Sequence, residues 1–133
     1  MEGLRKILVN NKVSIKEAMR VIDQGSIKMA VVVNNTGQLC GIVTDGDIRR
    51  GILKGISIDE NVSVVMNKHP VYVYEGTPRG EIVKLLKDKK ILGLPIVDNR
   101  KIVKDFILLS GGTEISHFSQ RPRIRKHIDR VLV

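Results

Sequence analysis

The sequence repeats itself at a spacing of 64 residues, and this repeat limits the folds open to the chain. Four identities fall at that spacing: Glu17 with Glu81, Ile27 with Ile91, Val33 with Val97, and Asn35 with Asn99. Four pairs of apolar positions keep it as well: Ala18 with Ile82, Val21 with Leu85, Ile22 with Leu86, and Val32 with Ile96. A fixed period of this kind indicates one structural unit that is present twice.

The first copy predicts a helix, a strand hairpin and a second helix. Ser14 and Glu17 have the spacing of a capping box, apolar residues follow at helical intervals, and Gly25 ends the helix. Residues 30–43 hold two apolar runs around a turn rich in Asn and Gly, which is typical of two buried strands in a hairpin. The second helix is predicted to begin near Asp47.

The second copy predicts the same order of elements. Residues 71–74 read as a strand, and the next helix is expected to have Thr77 as its N-cap and Pro78 at its first position. Residues 94–97 and 102–109 are predicted to form the second hairpin.

We expect an α/β protein with residues 1–60 as the first repeat, residues 61–112 as a degenerate second repeat and residues 113–133 as a basic tail. Halves of about sixty residues are marginal alone, so the repeats should pack together around a shared core. Gly111 and Pro122 disfavour the final helix of the second repeat.

Composition narrows the cellular setting. The single cysteine, Cys40, lies in an apolar stretch, which excludes a disulfide framework and favours a reducing compartment. Neither an export signal nor an apolar run of membrane-spanning length is present in the sequence, so a cytoplasmic protein is expected. The 23 Lys and Arg against 14 Asp and Glu give a net charge of +9, which favours nucleotides, sugar phosphates or nucleic acid as partners.

The stretch from Gly41 to Arg50, GIVTDGDIRR, drives a buried strand into a helix and leaves a hydroxyl and two carboxylates at the turn. A nucleotide suits that turn, because its phosphate would lie near Thr44 and the helix dipole while its ribose diol donates to Asp47. The same Thr-x-x-Asp spacing also fits a capping box that satisfies backbone donors and binds nothing. Both interpretations remain open from the residues alone.

Catalysis and metal binding are not expected. The three histidines and the cysteine show no metal-ligand spacing, and neither a nucleophile elbow nor a P-loop is present in the sequence. The sequence has only two Tyr and two Phe on which nucleic-acid bases could stack, and this disfavours nucleic acid as a partner.

The doubled unit, the turn Gly41-Ile42-Val43-Thr44-x-x-Asp47, the linker Val64-Val65-Met66-Asn67 and the strand Leu94-Pro95-Ile96-Val97-Asp98 resemble a cystathionine-β-synthase (CBS) domain pair, or Bateman module. The resemblance covers about residues 6–110. It implies tandem β-α-β-β-α repeats packed as one pseudo-two-fold domain. The turn further resembles CBS pairs attached to sugar-nucleotide nucleotidyltransferases and other sugar-phosphate enzymes.

The resemblance also implies an adenosine-containing ligand in a cleft between the repeats. Asp47 would hold the ribose, Thr44 would meet the phosphate and Ile42 would line the base pocket. Lys28, Arg49 and Arg50 would supply counter-charge beside Asp45 and Asp47, although both arginines are equally expected on a solvated helix face. The opposite wall would come from residues that also read as core strand: His69, Val71, Tyr72, Val73, Leu92, Gly93, Leu94 and Pro95.

The second copy departs from the motif, so one competent site is expected. At the spacing of 64, Leu108 replaces Thr44, Gly111 replaces Asp47, and Asp105 replaces Gly41.

The leading hypothesis is therefore a regulatory module that senses AMP, ADP or ATP, forms a homodimer and controls a fused or partner enzyme. One alternative is a structural dimerisation domain with an empty cleft. Another is a nucleic-acid binder that uses the basic segment 121–127. The apolar end 131–133 suggests either the start of a further domain or a terminal strand docked on this one.

Overall fold

Two small sheets with helices against them make up the computed structural model, which describes residues 2–111 and 114–120. The helices are α1 (Glu2–Arg5), α2 (Ile15–Gln24), α3 (Asp45–Leu53) and α4 (Arg79–Lys89). The strands are β1 (Leu8–Asn10), β2 (Met29–Val33), β3 (Leu39–Thr44), β4 (Val73–Tyr74), β5 (Gly93–Val97), β6 (Val103–Leu109) and β7 (Ile115–His117). Short 3₁₀ turns occupy Val62–Val64 and Phe118–Gln120.

The backbone confirms the duplication. The first sheet has the order β1-β2-β3 and the second begins β4-β5-β6, with a parallel pair followed by an antiparallel pair in each. Met29 pairs with Thr44, and Gly93 pairs with Leu108, so both partners shift by the same 64 residues. Even the bulge recurs, since it follows Val32 in one copy and Ile96 in the other.

Local signals set the helix starts with unequal success. In α2 the Ser14 hydroxyl accepts the Glu17 amide at 3.1 Å, and Gly25 is the C-cap, as predicted. The prediction for α4 is wrong, because the helix begins at Arg79 after Pro78 and has no side-chain cap. The Thr77 hydroxyl instead donates to the Tyr74 carbonyl at 2.7 Å.

The second repeat ends differently from the first. Where the first copy runs from β3 into α3, the chain after β6 turns at Gly111, whose φ of +65° suits glycine, and returns as β7. In this hairpin Ile107 pairs with His117. The second copy departs from β-α-β-β-α only at its end, where residues 114–120 form β7 and a 3₁₀ turn, which agrees with the sequence signals against a final helix there. Gly112 and Pro122 lie outside the described residues.

The repeats share a core, as expected. One apolar cluster belongs to the first sheet with α2 and α3, another to the second sheet with α4, and a third lies between the sheets. The middle cluster joins Val31 of the first repeat to Phe106 of the second. The two hairpins are also hydrogen-bonded: the Leu39 amide donates to the Lys101 carbonyl at 2.9 Å, and the Val103 amide donates to the Gly37 carbonyl at 3.0 Å.

Helices of the described segments are all too short or too polar to pass through a lipid bilayer.

Candidate ligand-binding site

The turn between β3 and α3 forms a complete capping box. The Thr44 hydroxyl accepts the Asp47 amide at 3.1 Å, and Oδ2 of Asp47 accepts the Thr44 amide at 2.9 Å. The capping interpretation of Thr-x-x-Asp is thus correct as a description of the local structure. It also fixes the Asp47 carboxylate at the start of the nine-residue helix α3.

Capping does not use all of the hydrogen-bonding capacity of Asp47. Its side chain is 21% exposed, and its Oδ1 accepts a hydrogen bond from Nη2 of Arg50 at 2.7 Å. Because each carboxylate oxygen accepts more than one hydrogen bond, a ligand hydroxyl can still be received at this edge. The Thr44 hydroxyl proton is likewise not committed by its acceptor role.

Asp45 is more open than Asp47. It forms an ion pair with Arg49 at 2.8 Å, in which both side chains are more than half exposed. Its backbone amide donates to the Lys28 carbonyl at 3.2 Å, which ties the start of α3 to the chain before β2. The two arginines predicted as counter-charges therefore have different partners: Arg50 forms an ion pair with Asp47, whereas Arg49 forms one with Asp45.

Lys28 and Asp45 line a cavity of about 420 Å³ beside α2. The other lining residues are Lys16, Met19, Arg20, Ile22, Asp23 and Ile58. Sequence reasoning missed this cavity, because its walls come from α2, the residue before β2, the first residue of α3 and Ile58. Such neighbours share no local spacing in the sequence.

The linker closes on β3 beside the turn. Ile42 and Asn67 exchange backbone hydrogen bonds, with the Ile42 amide donating at 3.1 Å and the Asn67 amide at 2.8 Å. The Asn67 side chain in turn accepts the His69 amide at 3.0 Å. A glycine is needed at position 41, because a Cβ there would lie 2.7 Å from the Asn67 carbonyl oxygen. His69 therefore follows two residues after the point where the linker pairs with β3, and its side chain is exposed.

The residues predicted for the opposite wall fall into two groups. Val73, Gly93, Leu94 and Pro95 are buried in the second repeat. The side chains of Val73, Leu94 and Pro95 fill its interior, and Gly93 leaves room for the Phe106 ring, which a Cβ there would approach to 2.5 Å. Val71 and Tyr72 are half-buried, while His69 and Leu92 are exposed. Tyr72 packs against the same middle cluster as Ile42, and Lys101 Nζ lies 5.1 Å from the centre of its ring. Contact of these residues with a ligand stays a prediction.

The second repeat uses the matching position for internal hydrogen bonds. Asp105, which stands where the first repeat has Gly41, is buried in β6. Its carboxylate accepts the amides of Phe106 and Ser119 at 2.8 and 2.9 Å and the Ser119 hydroxyl at 2.7 Å. His117 Nδ1 lies 2.9 Å from Oδ2. This network was not predicted, because its members are 12 and 14 residues apart.

The network also sets the ionisation of Asp105. Burial raises the pKa of this carboxyl, but the hydrogen bonds from Ser119, then from His117 and the Phe106 amide, lower it by more. The pKa therefore lies below its usual value. Asp105 holds the segment 117–119 against β6 as a carboxylate.

Among residues 2–111 and 114–120, His, Cys, Asp and Glu form no group of three that could hold a metal ion. The predicted basic segment 121–127 and the apolar end 131–133 lie outside the described residues.

A duplicated sheet-and-helix unit with a Thr-x-x-Asp turn defines a tandem-repeat α/β domain. The CBS domain model matches the sequence twice, at residues 5–54 and 61–107. The chain belongs to the CBS domain family and carries two CBS repeats.

Comparisons with individual proteins agree on the fold. The arabinose 5-phosphate isomerase KdsD of Pseudomonas aeruginosa is 34% identical over 98 residues, which are 73% of this chain but 29% of that protein. The CBS domain protein PAE2072 from Pyrobaculum aerophilum, complexed with AMP, superposes with a TM-score of 0.68 at 14% identity, covering 77% of this chain and 79% of that one. The CBS pair of MJ0100, in complex with 5′-methylthioadenosine and S-adenosyl-L-methionine, gives 0.67 at 22% identity, covering 77% and 80%.

Proposed function

We propose that this chain is a regulatory module that binds an adenine nucleotide, AMP, ADP or ATP, in one cleft between its CBS repeats. The observation that carries the proposal is the Asp47 carboxylate, which the capping box fixes at the start of α3 with acceptor capacity to spare. A rigidly held carboxylate is suited to the two vicinal hydroxyls of a ribose. The adenosine-type ligands of PAE2072 and MJ0100 support this choice of ligand class.

One site per chain follows from the unequal repeats. Leu108 offers no hydroxyl where the first repeat has Thr44, and the chain near Gly111 turns into β7 instead of a helix. The second copy therefore lacks the fixed carboxylate that the proposal needs.

The regulated activity would belong to a fused or partner enzyme of sugar-phosphate or sugar-nucleotide metabolism. KdsD supports this class, since the similarity to this chain covers less than a third of that isomerase and leaves most of its length for other functions. We further propose that the module works in the cytoplasm as a homodimer. Residues 1–60 and 61–112 would form the repeats, while residues 115–117 of the segment predicted as a tail pair with β6 as β7.

Calorimetric titration of AMP, ADP and ATP into the wild type and into Asp47→Asn tests the proposal. Asparagine keeps a carbonyl for the capping box but loses the charge, so nucleotide affinity should fall about tenfold to a hundredfold. Asp88→Asn is the matched control, because it removes the same charge from an exposed ion pair with Lys84 in the second repeat. Its nucleotide affinity should equal that of the wild type.

The alternatives predict different results. A structural dimerisation domain with an empty cleft would give no heat with any of the three nucleotides. A nucleic-acid binder would instead bind DNA with a steep salt dependence that is lost when residues 121–130 are removed.

A further inference from the structure

Arg50 occupies the edge of Asp47 at which the ribose is proposed to bind. Its Nη2 lies 2.7 Å from Oδ1 of Asp47, the carboxylate oxygen that the capping box leaves unused. Its Nη1 lies 3.2 Å from the place that a Cβ would take at Gly46. The guanidinium therefore lies across the first turn of α3, over a residue without a side chain.

The ion pair is suited to being exchanged. The Arg50 side chain is 66% exposed while that of Asp47 is 21% exposed, so the arginine can leave for solvent without disturbing the core. Exposed ion pairs contribute little net free energy, and a ribose hydroxyl competes for the same oxygen. A nucleoside that uses both lone pairs of Oδ1 for its ribose hydroxyls competes with Arg50 and gains no new contact when the arginine leaves.

A nucleotide gains a second contact from the displaced arginine. The guanidinium stays tethered to α3, and the carboxylate that it leaves is hydrogen-bonded to Thr44, whose hydroxyl is proposed to meet the phosphate. Its planar fork of N–H donors matches phosphate oxygens and can bind them in a bidentate manner. When a nucleotide displaces Arg50 from Asp47, the guanidinium therefore forms a new ion pair with the phosphate and does not remain a solvated cation.

We propose that Arg50 is a specificity-determining residue that disfavours the binding of unphosphorylated nucleosides at Asp47 by competing for its carboxylate, and that it exchanges this carboxylate for the phosphate of a bound nucleotide. This inference rests on the proposed function. The preference of the site for phosphorylated ligands would then come from Arg50, which is paired with Asp47 when no ligand is bound.

Arg49 provides a matched control on the same helix. It has the same 66% exposure and pairs with a carboxylate at 2.8 Å, but its partner is Asp45. Replacing Arg49 or Arg50 by glutamine changes the net charge and the charge of α3 equally. Only the second replacement removes the group that lies on Asp47.

The experiment is calorimetric titration of adenosine and of AMP into the wild type, Arg50→Gln and Arg49→Gln. In Arg50→Gln adenosine should bind about two- to fivefold more tightly, because its competitor is gone. AMP should bind about tenfold more weakly, because its phosphate loses a charge-assisted partner. Arg49→Gln should change the ratio of the two affinities by less than about twofold.

The results of these titrations distinguish the proposed nucleotide binding from the proposed role of Arg50. If the wild type binds neither ligand, the proposed function fails. If it binds AMP but Arg50→Gln weakens both ligands equally, or Arg49→Gln has the same effect, the role of Arg50 is wrong while nucleotide binding stands. Arg50→Lys is the second variant: it keeps the charge without the fork, so its ratio should lie between those of the wild type and Arg50→Gln. A ratio equal to that of Arg50→Gln would contradict a role for the charge.

Discussion

A single exchange between the copies, Gly41 for Asp105, changes what each strand can contact. At Gly41 the absence of a side chain lets the linker approach to hydrogen-bonding distance of β3. At Asp105 a carboxylate fills the corresponding place, binds residues 117–119 through three hydrogen bonds and accepts a fourth from the Phe106 amide. The same position thus admits the linker in one copy and holds a buried carboxylate in the other.

Replacing Asp105 with alanine should destabilise the protein strongly. The Ser119 and Phe106 amides and the His117 ring would lose their acceptor in a buried setting, which should lower the free energy of unfolding by about 2–4 kcal/mol. Urea unfolding at neutral pH measures this change. Asp88→Ala, which breaks only an exposed ion pair, should be indistinguishable from the wild type. Equal effects of both variants would contradict a structural role for the network.

The depressed pKa of Asp105 also predicts a pH dependence. A carboxyl whose folded pKa lies below its unfolded value stabilises the fold above about pH 4, and this stabilisation is lost as the pH falls toward the folded pKa. Urea unfolding between about pH 5 and pH 2.5 should therefore show a shallower acid loss for Asp105→Asn than for the wild type. Parallel curves would show that another carboxyl causes the acid loss.

At the scale of the elements, α3 and α4 differ in how closely they are packed. A Cβ at Gly51 in α3 would lie 2.6 Å from a methyl carbon of Val65, whereas a Cβ at Gly80 in α4 would have no neighbour within 4 Å. Val65 is β-branched and restricted in its rotamers, so it cannot move aside easily. The first contact fixes α3 on the linker.

The same substitution should therefore have opposite effects on the two helices. Gly51→Ala gains about 1 kcal/mol of helix propensity but should lose more, about 1–3 kcal/mol, from overpacking against Val65. Gly80→Ala should raise the free energy of unfolding by about 0.5 kcal/mol. Thermal and urea unfolding of both variants compare them directly. A Gly51→Ala protein more stable than the wild type would contradict this expectation, because it would show that Val65 moves aside at little cost in free energy.

Elements set by neighbouring residues were predictable, and elements set by distant residues were not. The capping oxygen and terminal glycine of α2 lie within its own sequence, and the capping box at Thr44 is equally local. The start of α4 was mistaken, because the Thr77 hydroxyl has a competing acceptor in Tyr74. Strand β7 forms on β6 and on Asp105, partners that no local pattern indicates.

At the scale of the whole molecule, the middle cluster makes the repeats depend on each other. Val31 is fully buried there although its own sheet belongs to the first repeat, and it shares the cluster with Phe106 and Val97 of the second. Bonds between the two hairpins add to this connection. The repeat pattern predicted a shared core but not which residues form it, because each β2 or β5 side chain could have faced either its helices or the other sheet.

Unfolding should accordingly be one transition. Both tyrosines, Tyr72 and Tyr74, lie in the second repeat, and the chain has no tryptophan, so tyrosine fluorescence reports on the second repeat and, through Tyr72, on the middle cluster. Val31→Ala, in the first repeat, should lower stability by about 1–3 kcal/mol and shift the tyrosine transition as much as the ellipticity at 222 nm. Separate midpoints for the two signals would show that the repeats unfold independently.

The constant register of the two sheets has a consequence for engineering. Because strands and bulge coincide at one offset, the strand residues GIVT of the GIVTDGDIRR segment would meet a matching backbone in the second half, whereas its helical residues would meet the turn that leads into β7. Asp105 would have to be replaced in the same step, and its hydrogen bonds to His117 and Ser119 would be lost. A second binding site in this chain would therefore require a helix after β6 as well as new side chains, since the two copies share their strands but not the element that follows them.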